Sequence, residues 1–147
     1  MNPSLSTLQK SENEIVIDFA IEDVKKAIML IFQHFPSKYL LRKNDVNEIF
    51  NTYHFPVSKI ANPAIIDMSL EQISENKTKI KISVTNAYGS ISSNSILAGV
   101  SSDYLLILAK VLKGEKIDEI KPLVNNSGCM VVLFLLIASI SIAFLTI

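Results

Sequence analysis

One cysteine, one arginine and two histidines are all the chain holds of three residue types on which much protein chemistry depends. Cys129 alone closes no intrachain disulfide and builds no thiolate metal site. Arg42 alone offers one planar fork, so bidentate clamps on phosphate or carboxylate groups are nearly absent. Charge of neither sign is in surplus, with 14 Lys and Arg against 14 Asp and Glu. A nucleic-acid partner, which calls for positive charge gathered on one face, is not expected. The P-loop, the dinucleotide fingerprint, the nucleophile elbow and zinc-ligand spacing are also missing. No catalytic residue, metal or cofactor is expected, and the chain reads as a non-enzyme.

What the chain does have is apolar surface. Hydrophobic residues make up 49% of it and the mean hydropathy is +0.35. The excess gathers in residues 128–147, GCMVVLFLLIASISIAFLTI, which carry no charge. A helix of that length spans about 30 Å, the thickness of a bilayer's hydrocarbon core. Its twelve Leu, Ile, Val and Phe residues contribute roughly −4 to −7 kcal/mol to insertion at most. The opening MNPSLSTLQKSENE is polar and lacks the apolar core of a secretory signal. The expected layout is therefore that of a tail-anchored, single-pass membrane protein with its N-terminal domain in the cytoplasm. Lys110, Lys113, Lys116 and Lys121 precede the span and no basic residue follows it, in keeping with positive-inside bias. Glu115, Asp118 and Glu119 dilute that charge, so strong attraction to anionic lipid is not expected. Cys129 at the membrane edge is a palmitoylation candidate or simply a small apolar residue. Ser139 and Ala143 form a small-xxx-small pair through which two spans can approach and self-associate. The sequons at Asn76 and Asn125 read as turn and linker chemistry.

Ahead of the span, residues 1–12 read as a disordered lead-in, 13–114 as a cytosolic domain and 115–127 as a tether. The twelve residues 116–127 of that tether, as a flexible chain, reach about 20 Å on root-mean-square average. Within the domain, Ile15, Ile17 and Phe19 alternate over residues 14–19, a strand. Ile21, Val24, Ile28, Ile31 and Phe35 recur at helical spacing, with Glu22 and Asp23 in the first turn and Pro36 as the stop. Residues 38–43 and 46–55 flank Asn44-Asp45 and predict a hairpin. Pro56 and Pro63 bracket a loop. Residues 64–73 form a strand, and so do residues 79–85, with Lys79 and Lys81 outward and Ile80, Ile82 and Val84 inward. A second helix starts near Ser95 or Ser102 and runs to Gly114, a C-terminal cap. Strand, helix, four strands, helix predicts an α+β domain with an antiparallel sheet of about five strands.

Three side chains are candidates for a pocket: Tyr53, His54 and Asp67. A strand with its polar side to water explains them as well. His34, at the end of the first helix, suits the helix C-terminus as a cation. The short helix after the first strand, the meander through Val84 and the closing helix from Ser102 resemble a reduced helix-grip (Bet v 1/START-like) domain, over residues 14–113. That resemblance rests on element order, with fewer strands than the family and without its glycine-rich loop. It implies an apolar ligand held between the sheet and the closing helix. Two functions follow. The first is a non-catalytic, membrane-tethered interaction domain or small subunit beside a membrane-protein partner. The alternative is a membrane-anchored binder of lipid or another apolar small ligand.

Overall fold

The structure, a computed structural model, describes residues 10–58, 63–87 and 93–121. Their elements run β1 (Lys10–Ile17), α1 (Ile21–His34), β2 (Val46–Asn47), β3 (Thr52–Val57), β4 (Ala64–Ser74), β5 (Lys77–Asn86) and α2 (Asn94–Leu112). The five strands form one antiparallel sheet in the order β1-β5-β4-β3-β2. Both helices pack against the same face of that sheet, so the α+β expectation holds. The span at 128–147, including Cys129, Ser139 and Ala143, lies outside the described residues.

Period two divides the sheet cleanly. Met68, Ile80, Ile82 and Val84 are buried beneath the helices, while Lys81 and Asp67 point away from them. α1 buries Ile21, Val24, Ile28 and Ile31 and ends ahead of Pro36, as its spacing predicts. α2 starts at Asn94, where the Ser93 hydroxyl accepts from the Ile96 N–H. One helix among the described residues, α2, is long and apolar enough to cross a membrane by length and composition. Its Leu97, Tyr104, Leu105 and Leu108 are nevertheless buried in the core of the domain.

Four local readings are corrected. Residues 38–43 form no strand: Phe35 closes a turn onto Lys38 and Tyr39, and Tyr39 makes an isolated bridge to Val57. Asn44-Asp45 is not the hairpin turn, because Lys43–Asp45 is a 3-10 turn whose Asp45 carboxylate accepts from the Arg42 N–H. The hairpin turns instead at residues 48–51, where the Asn47 Oδ1 accepts from the Ile49 and Phe50 N–H groups and Asn51 takes a positive φ of 50°. Pro56 lies inside β3 opposite Ile65, its carbonyl accepting from the Leu40 N–H. Finally, β1 takes in residues 10–12, which read as lead-in, and ends at Ile17 instead of Phe19.

The end of α2 yields a sharp test. Gly114 has φ +80°, its N–H bonds to Val111 O, and the Glu115 N–H bonds to Lys110 O, the paired bonds of a Schellman cap. Among the described residues nothing lies within 4 Å of a Cβ placed on Gly114 or on Gly99 inside the helix. Only backbone preference then separates the two. Gly114→Ala should cost about 1 kcal/mol and Gly99→Ala should gain about 0.5–1 kcal/mol in urea unfolding. Shifts of the same sign would contradict the cap.

Candidate functional site

The three pocket candidates divide between the two faces of the sheet. His54 and Asp67 are cross-strand partners on the face without helices, with His54 Nδ1 2.5 Å from Asp67 Oδ1. Tyr53, one residue earlier, turns to the opposite face and is buried. Its phenol is pushed up by burial and then by the Glu22 and Glu48 carboxylates. Adjacent side chains of a strand point to opposite faces, so the three side chains do not converge, although all three residues border one dish on the outer face.

On the outer face two rows cross the sheet. One runs Glu12, Ser83, Asp67, His54 and the other Glu14, Lys81, Ser69, Thr52. They line an open dish of about 540 Å³. Its charges answer one another: His54 with Asp67, and Lys81 with Glu14 at 3.7 Å. One row further, Lys79 and Glu71 pair at 3.0 Å, and that hydrogen bond holds Glu71 below and Lys79 above their ordinary ranges. Among the described residues no hydroxyl meets His54 Nε2, so no nucleophile is activated there. No cluster of metal-ligating side chains occurs among them either. The dish is a solvated sheet face with paired charges.

The other concavity lies on the helix side. A groove of about 370 Å³ runs between the last turns of α1 and residues 36–42. Met29, Phe32, Pro36, Tyr39, Leu40 and Leu41 line it, with Gln33 and Arg42 as its polar members. Met29 and Leu40 are 41% and 40% exposed. The segment opposite α1 is pinned to α2 by an ion pair, Lys38 Nζ to Asp103 Oδ2 at 2.5 Å, with both side chains largely buried.

Phe32 and Tyr39 belong at once to this groove and to an aromatic cluster in the core. The Tyr39 and Tyr104 rings stand edge to face at 5.1 Å, Phe55 lies 5.3 Å from Tyr104, and Phe32 lies 4.8 Å from Phe55. Neither the Tyr39 nor the Tyr104 hydroxyl finds a hydrogen-bond partner among the described residues, and both side chains are buried. Burial drives both phenols far above the ordinary range; the Asp103 carboxylate adds to the effect at Tyr39, and Tyr53 adds to it at Tyr104. Buried hydroxyls are costly when left unpaired, so this cluster is the chemically unusual place in the interior.

His34 stands 3.5 Å from Asp118, and Ile120 is buried in the core. The chain after α2 therefore folds back onto the end of α1. His34 thus serves as a structural contact, as its position at the helix end suggests.

No family model and no curated protein matches the sequence. Among solved structures, that of Ara h 8.0201 aligns with a TM-score of 0.51 and 15% identity, over 73% of this chain and 96% of its own. A conserved protein of unknown function from Enterococcus faecalis aligns with a TM-score of 0.46 and 13% identity, over 77% of this chain and 74% of its own. The first of these supports a Bet v 1-like fold for the chain, in line with the element order. At such identities the likeness speaks for fold alone.

Proposed function

We propose that the chain is a membrane-anchored binding protein for an apolar small molecule, which it holds in the groove between α1 and residues 36–42. The observation that carries this reading is the groove's floor. Phe32 and Tyr39 form it, walled by Met29, Pro36, Leu40 and Leu41, with Gln33 and Arg42 as its polar members. An apolar slot of a few hundred Å³ with a few polar side chains at its edge, here Gln33 and Arg42, is the usual make-up of a small-molecule site. The reading contains binding and release and no bond-making step. Residues 128–147 supply the anchor, a role supported by their length and freedom from charge.

One observation favours the interaction-module reading instead. Ile49 and Phe50 on the β2–β3 turn are 85% and 70% exposed, an apolar tip suited to a protein partner. A single purification separates the two. Full-length chain taken from membranes in mild detergent is expected to carry one class of apolar molecule in native mass spectrometry. Met29→Glu with Leu40→Glu should lose it while the fold, read by circular dichroism, is kept. A preparation without bound small molecules, but with a stoichiometric protein, would overturn the proposal in favour of the interaction module.

A further inference from the structure

We infer that the outward crest of α1, together with Leu40 and Arg42, is a docking face that rests on the lipid bilayer. The inference rests on the anchor proposed above.

Its first support is apolar exposure in one place. Met29 and Leu30 are 41% and 43% exposed on α1, and Leu40 is 40% exposed on the opposite wall of the groove. An amphipathic helix built only to cover a sheet keeps charge on that side, as α1 does in its first half with Glu22, Asp23, Lys25 and Lys26. Its second half replaces charge with Met29, Leu30 and Gln33.

The second support is where the chain leaves. The 3-10 turn Ile117–Glu119 packs on α1 through the His34–Asp118 contact, and Ile120 is buried, so Lys121 lies beside the end of that helix. The groove takes one flank of the last turns of α1 and this returning chain takes the other, with Leu30 on the crest between them. Seven Cα steps separate Lys121 from Gly128. At full extension they reach about 25 Å. Whatever path those residues take, Lys121 stays within that distance of the first residue of the span.

Charge agrees. Asp118 is engaged by His34, and Glu119 by Lys116 at 3.8 Å. The Asp45 carboxylate bonds the Arg42 backbone N–H. Among the described residues no carboxylate pairs with the exposed Arg42 guanidinium or with Lys121. Both cations suit phosphate headgroups. Apolar side chains flanked by such cations are the make-up of an interfacial face, which sits about 5–10 Å into the headgroup region. A groove held there would open onto the lipid phase.

The test uses the full chain with Cys129→Ala, reconstituted in vesicles of phosphatidylcholine and phosphatidylglycerol. An environment-sensitive fluorophore is attached at Leu30→Cys, at Leu40→Cys or, on the opposite face of the sheet, at Lys81→Cys. Quenching by lipid-borne nitroxide should be at least about threefold stronger at positions 30 and 40 than at 81, as expected for a face at interfacial depth. Arg42→Glu should lower the signal at 40 in these vesicles and leave it unchanged in phosphatidylcholine alone. Equal quenching at all three positions, in a chain that still resists carbonate extraction, overturns the docking face and leaves the anchor standing. Labels at 30 and 40 shielded from aqueous iodide without nitroxide quenching mean that protein covers the face, and overturn it too. A chain that washes off in carbonate overturns the anchor and this inference together.

Discussion

Ile82→Asp is expected to unfold the domain, whereas Lys81→Asp should move its melting temperature by no more than about 5 °C. The two residues are neighbours on β5 and face opposite sides of the sheet. Ile82 is 1% exposed and pairs across to Met68 and Asn13 beneath the helices. Lys81 is half exposed and its contact is a 3.7 Å pair with Glu14, itself half exposed. A carboxylate at position 82 would lack any charge partner and would also remove a core side chain. Together these cost several kcal/mol, against a total stability of about 5–15 kcal/mol for a domain of this size. An exposed ion pair is worth about 0–1 kcal/mol. Circular dichroism of both full-length variants in mild detergent reads the difference. Equal melting curves would mean that the register of β5 is wrong.

That register was legible in the sequence because one face of β5 is apolar and the other charged. The same signal marks β4 and α1. It fails at the start of β1, where the inward residues include Asn13. The Asn13 amide is satisfied by donating to the Ser101 hydroxyl on α2 at 2.6 Å, and Ser101 in turn donates to Ala98 O. A polar side chain whose partner lies 88 residues away leaves no local pattern. α2 hid its own start because it is apolar nearly all round; the Ser93 cap is a finding of the structure. Residues 38–43 mislead in the opposite way, since Tyr39 and Leu41 alternate as in a strand. There, Pro36 and the turn at Phe35 leave the segment one bridge instead of a ladder.

The site was less legible than the fold. Period two alone was enough to part Tyr53 from His54, whereas the meeting of His54 with Asp67 needed the register of β3 on β4. The aromatic cluster joins Phe32 of α1, Tyr39 of a turn, Phe55 of β3 and Tyr104 of α2. No window of sequence holds two of these elements at contact spacing. The groove had one local sign, Met29 and Leu30 standing on the flank of α1 where charge is the rule.

Alkaline unfolding is expected to begin soon after pH 10 and to depend on Tyr39 and Tyr104. Phenols ionise near 10.0 when exposed to water. Burial raises both of these well above that value in the folded state. Above pH 10 these two phenols release their protons in the unfolded chain and keep them in the folded one. The folded state then binds more protons, so its stability falls as pH rises; below about pH 10 the contribution is fully present. Each tyrosine costs about 1.4 kcal/mol per pH unit in that window. Near pH 11.5 the pair together removes about 4 kcal/mol, close to the whole stability of a modest domain. Tyrosinate absorbance should therefore rise together with the loss of far-ultraviolet dichroism. Tyr39→Phe with Tyr104→Phe should move the alkaline midpoint upward. A smooth tyrosinate titration near pH 10 with the dichroism intact would show that these phenols are not buried. At neutral pH the same double variant reads the cost of burying the two hydroxyls. If the hydroxyls face nothing, removing them relieves about 1–3 kcal/mol each. A double variant no more stable than the parent would show that the two hydroxyls have partners after all.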